Sequence, residues 1–227
     1  GFPTENGTFQ SEFVFQTDRI VSYEYNKKWV GTGSFTLVLP TTEYFCQHIA
    51  ENMLIEIDGD WLEIRNVSRN ETQITVSGTD LNGWLDYRIT AFGETQVAGA
   101  AGYDVIKGST GYCINHYIRN NMTAPVDSAR KFPRLEIIQT AQGKTDDRYM
   151  ARLKVLTEVI GNLCVNSTIG YEITANVSEN RFEFRTFAGV DRSIEQTDRT
   201  AVIFSQKRNN LLSATYERGN TDLLNAI

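Results

Sequence analysis

The chain is poor in the residues that most often carry chemistry. Its 227 residues include two histidines, His48 and His116, and three cysteines, Cys46, Cys113 and Cys164. An odd, widely spaced cysteine set is no disulfide framework and points to assembly in a reducing compartment. No apolar run approaches the roughly 18 residues of a membrane-spanning helix. Basic charge is also short. Lys and Arg number 22 against 28 Asp and Glu, a net charge of −6, so the footprint of a basic nucleic-acid binder is missing. The nucleophile elbow, the phosphate-cradling Gly-Lys loop and the metalloprotease helix motif are all missing. The carboxylate pairs Asp58/Asp60 and Asp146/Asp147 read as solvated turn residues, and Glu183/Asp191 lacks a convergent base or nucleophile. Cys46-x-His48 and Cys113-x-x-His116 hold zinc-ligand types without the rest of a tetrahedral set. The expectation is a non-enzyme with no catalytic residue, metal or cofactor. Asn-x-Ser/Thr triplets at Asn6, Asn66, Asn70, Asn121, Asn166 and Asn176 read as chance matches in an Asn- and Thr-rich chain.

Hydrophobic residues are plentiful at 41%, and 11% of the chain is aromatic. The pattern is mostly one of strands. Alternation predicts strands near Ile20–Tyr25 and Ser34–Leu39, the second ended by Pro40. "LIEIDGDWLEIRNV" reads as a hairpin, because Asp58-Gly59 suits a type I′ turn whose two central residues need positive φ. "SRNETQITVSG" adds a third strand, giving an antiparallel meander. "TEYFCQHIAENM" before it reads as a helical turn.

Residues 91–109 are small and Gly-rich and read as a loop or boundary. "TGYCINHYIRNNM" places Cys113, Ile114, Tyr117 and Ile118 on one helical stripe, capped by Ser109 or Thr110. "MARLKVLTEVIGNLCVNSTIG" predicts a second helix with Leu153, Leu156, Val159, Ile160 and Leu163 on its apolar face. One strand is expected around Leu135–Gln139. "YEITANVSENRFEFRTF" alternates on both sides of a turn. A further strand in "TAVIFSQ" and a hairpin across Glu217–Asp222 follow. The order is β, helix, helix, β. It predicts a β-dominated α+β fold of two antiparallel β-barrel or tube-like modules linked by a helical insertion. The expected divisions are 1–98, an N-terminal β module; 99–166, the helical and loop insertion; and 167–227, a second β module. The chain starts without Met and ends in the apolar "LLNAI", so the second module is expected to be incomplete and the polypeptide to continue past Ile227.

Two stretches carry a resemblance. In "ITVSGTDLNGWLDYRIT" a strand meets a short helix that carries Trp84. In "FEFRTFAGVDRS" and "AVIFSQKRNNLLSATYE" the run Gly189-Val190-Asp191-Arg192-Ser193 precedes Val202-Ile203-Phe204-Ser205 and Asn210-Leu211-Leu212. Together they resemble the siphophage and prophage tail-tip proteins that form the baseplate hub. The resemblance implies a virion structural protein that joins the tail tube to distal host-recognition or wall-penetration parts. It implies a trimer whose six modules continue a hexameric tube, with DNA only as passing cargo, assembled in the bacterial cytoplasm. The acidic balance suits such a lumen. A competing reading is a carbohydrate or host-surface binding module, with Trp29, Trp61 and Trp84 as stacking aromatics. The candidate structural residues are Trp84 and Leu85, packed as a plug on the core, and Arg88, pointing outward. The other two are Asp191 and Arg192, forming an ion pair in a turn at a module or subunit contact.

Overall fold

The computed structural model describes residues 15–42, 44–91, 102–145 and 147–215. The chain divides into two compact units, Gly1–Gly189 and Val190–Ile227. The first begins with an antiparallel sheet of β1 (Ser22–Asn26), β2 (Ser34–Pro40), β3 (Leu54–Ile57), β4 (Asp60–Arg69) and β5 (Gln73–Asp80). Its spatial order is β1-β2-β5-β4-β3. Period-two alternation sends Phe35, Leu37 and Leu39 inward from β2, where they meet Leu62, Ile64, Ile74 and Val76. The β3–β4 turn is built as the Asp-Gly pair requires, with φ of 53° at Asp58 and 85° at Gly59. The meander is confined to β3–β4–β5. After β2 the chain crosses to the far edge through the 3-10 turn Tyr44–His48, and Cys46 and Ile49 stay buried in the same core on the way.

The second half of this unit holds a three-stranded sheet in the order β7-β10-β9, made of β7 (Leu135–Gln139), β9 (Ile169–Asn176) and β10 (Arg181–Ala188). The β9–β10 hairpin is antiparallel, but β7 runs parallel to β10. The all-antiparallel expectation is corrected there. β7 arrives by a long crossover, whereas only a tight turn forces neighbours to run antiparallel. A ribbon of β6 (Asp104–Gly108) and β8 (Asp147–Ala151) flanks α1 (Thr110–Ile118). The stretch read as helical and loop, 99–166, therefore contributes three strands.

α1 starts as expected, with Ser109 Oγ accepting from Tyr112 N. α2 (Leu156–Val165) starts later than periodicity predicts. Leu153 adopts φ 49° and is 59% exposed, turning the chain between β8 and the helix, so it leaves the predicted apolar face. The core of this half joins α1, α2 and the second sheet through Tyr117, Ile118, Met122, Leu156, Tyr171 and Phe184.

In the second unit the described residues 190–215 form no strand, so the one expected in "TAVIFSQ" is absent from them. A 3-10 turn spans Gln206–Arg208, and Asn210 bridges Ser205 N and Ile203 O. An amide side chain thus takes backbone groups that a ladder would have used. The hairpin expected at 217–222 lies outside the described residues.

Candidate functional site

The junction between the two cores is built by the residues that follow β5. Asp80 ends the strand, and its Oδ2 accepts from Gly33 N at 3.0 Å and Tyr25 OH at 3.3 Å. Burial nevertheless pushes its carboxyl above the ordinary carboxylate range. The chain then winds into a 3-10 helix, Leu81–Tyr87. Gly83 is required at its closest approach, because a Cβ there would sit 2.5 Å from Thr79 Oγ1.

Trp84 fills the junction. Its ring lies 4.7 Å from Phe132 and 4.7 Å, edge-on, from Phe182. Its Nε1 donates to Glu63 Oε2 at 3.0 Å, and Arg65 Nη2 reaches the same oxygen at 2.6 Å. Burial raises the Glu63 carboxyl, while Arg65 and the indole N–H draw it down. Leu81 and Leu85 are fully buried beside the tryptophan. Asn82 ties the helix to the second sheet. Its Oδ1 accepts from Ile173 N at 2.8 Å and its Nδ2 donates to Gly31 O at 3.3 Å. Gly31 N in turn donates to Tyr171 OH at 3.2 Å. The edge of β9 is thereby closed at its middle.

Arg88 follows directly and is only partly exposed. Its carbonyl accepts from Leu156 N at 2.7 Å, and Ile89 pairs with Val155 in a short antiparallel bridge. Arg130 Nη2 donates to Ile89 O at 2.5 Å. Arg88 Nε is enclosed and has no hydrogen-bond partner among the described residues. Burial, and then the neighbouring Arg130, lower its affinity for its proton.

In the second unit Asp191 Oδ1 accepts from Ser193 N at 2.8 Å, which holds the carboxyl below its ordinary value. Among the described residues it forms no ion pair with Arg192, correcting the expected pairing; the two sit in an exposed turn capped by the aspartate. Trp84 and Leu85 thus share one element and Arg88 follows its end, while Asp191 and Arg192 belong to the other unit.

Sequence reasoning missed Asn82, Glu63 and Asp80. A signal for Glu63 exists: Trp61 alternates with Leu62 and Ile64, so β4 carries apolar residues on both faces, and Glu63 lies on the Trp61 face. His116 Nε2 lies 2.6 Å from Asp104 Oδ1 and beside Asn120 Nδ2.

Comparison with known families matches residues 6–227 to the family described as Siphovirus ReqiPepy6 Gp37-like protein. The chain belongs to this siphovirus tail-protein family. Among solved structures it is similar to prophage tail protein gp18 from Listeria monocytogenes, at 14% identity and TM-score 0.45, over 82% of this chain and 52% of that one. It is similar at 7% identity and TM-score 0.44 to an E. coli type VI secretion component, over 74% of this chain and 45% of that one. It is also similar to a tail protein from Neisseria meningitidis at 11% identity and TM-score 0.43, over 71% of this chain and 44% of that one. The chain spans about half the length of these structures. No curated protein matches it.

Proposed function

We propose that this tail protein is a baseplate-hub-like component that joins the tail tube to distal host-recognition or wall-penetration proteins. The observation that carries the reading is the family match across residues 6–227. The junction at Trp84 supports it, because a rigid connection between two sheets suits a part that transmits position and catalyses nothing. The protein acts as a trimer in the virion tail, after assembly in the bacterial cytoplasm. Residues 1–98 and 167–227 serve as its two tube-like modules, and 99–166 as the link that also lends β7 to the second. Trp84 and Leu85 fix one module against the other, and Asp191 and Arg192 lie at a module or subunit contact. DNA passes as cargo only, and the −6 net charge keeps it from sticking.

The test is absolute mass by size-exclusion chromatography with light scattering, followed by negative-stain imaging. A closed ring of three 25.7 kDa chains has a mass of ~77 kDa and appears as an annulus. A monomer at all accessible concentrations overturns the trimer.

A further inference from the structure

Resting on that reading, we propose that Arg88 and Arg130, with the exposed strip Ile89–Val155, form a docking surface for a carboxylate-bearing, aliphatic segment of a neighbouring tail protein. Both arginines adjoin the short Ile89–Val155 bridge. Arg130 Nη2 is anchored on Ile89 O at 2.5 Å and lies 3.5 Å from the fully buried Asn121 Oδ1. Arg88 is one residue away, with its Nε enclosed and unpartnered among the described residues.

No carboxylate pairs with either arginine among the described residues, although acidic residues outnumber basic ones in the chain. Three arginines elsewhere are matched: Arg65 with Glu63, Arg181 with Glu136, Glu179 and Glu183, and Arg185 with Glu172 and Glu183. Two like charges brought together and partly dehydrated are unfavourable until an anion joins them. Beside them Ile89 is 51% exposed and Val155 39%, an exposed apolar strip. Arginine's planar fork matches a carboxylate in a bidentate pair, and the strip takes an adjoining aliphatic side chain. Charge complementarity selects an acidic protein segment. Nucleic acid is disfavoured because the chain as a whole repels phosphate.

The probe is the peptide acetyl-Val-Glu-Val-Glu-Ile-amide, titrated by heteronuclear NMR onto the whole chain. Its glutamine counterpart and a single-stranded oligothymidylate serve as comparison probes. The glutamate peptide is expected to shift the Arg88–Ala91 and Lys154–Leu156 amides, with affinity falling roughly tenfold in Arg88→Gln and in Arg130→Gln. Arg88→Gln is expected to melt at or above the parent temperature, since its Nε has no partner to lose among the described residues; a clear drop would mark a structural arginine and overturn the proposal. Equal binding of the glutamine peptide would overturn the carboxylate, and tighter arginine-dependent binding of the oligonucleotide would replace it with phosphate. None of these outcomes depends on the trimer, so the two readings fail separately.

Discussion

At the scale of single residues, Trp84 joins the two sheets through Phe182 and Glu63. Truncating a buried aromatic removes both transfer energy and packing. Trp84→Ala is expected to lower unfolding stability by about 3–5 kcal/mol in urea titrations. Trp84→Phe keeps most of the packing and loses only the bond to Glu63, so about 1–3 kcal/mol is expected.

Asp80 and Glu63 add a pH dependence. Burial raises them above their ordinary values of 3.8 and 4.5. The folded state then keeps protons that the unfolded chain has already released. The stability tied to each is complete below the ordinary value and is lost as pH rises through the raised one. Glu183 has the opposite sign. Its bond from Asn176, then Arg181 and Arg185, holds it below 4.5, so its contribution is present above that value and lost on acidification. Asp80→Asn retains an acceptor for Gly33 N and removes one of the losses at high pH. Its stability at about pH 7, relative to that at about pH 4, should exceed the parent's ratio in paired denaturant titrations.

At the scale of elements, two glycines make a matched pair. A Cβ on Gly111, in the first turn of α1, would sit 1.9 Å from Ala141 O, so Gly111→Ala must move backbone. A Cβ on Gly161, within α2, meets only Val30 Cγ1 at 3.6 Å. Gly161→Ala should raise stability by about 0.5–1 kcal/mol through helix propensity, and Gly111→Ala should lower it. Melts of both variants side by side check the contrast.

What was legible in the sequence was local. The Asp58-Gly59 hairpin, the Ser109 cap and the Trp84 element each depend on neighbours within a few residues, and each stands where the pattern puts it. What was hidden depends on distant partners. Asn82 meets Ile173 across 91 positions. Nothing near β7 announces that it will lie parallel to β10. Leu153 carries a helix-period side chain into a left-handed turn, where tertiary pairing of β6 with β8 overrides propensity.

At the scale of the whole molecule, every described residue of the two hydrophobic cores lies before Gly189. A chain ended at Gly189 should therefore fold by itself and melt cooperatively, within about 4 °C of the parent, by circular dichroism. Loss of the cooperative transition would assign residues 190–227 a share in the core. The Asn82 amide has one more effect on how sheets from separate chains can join. Any incoming strand must find unpaired backbone groups, and Ile173 N–H is already taken by a side chain of its own subunit. A strand added beside β9 would have to do without the bond at Ile173, so the fold itself discourages sheet growth along that edge.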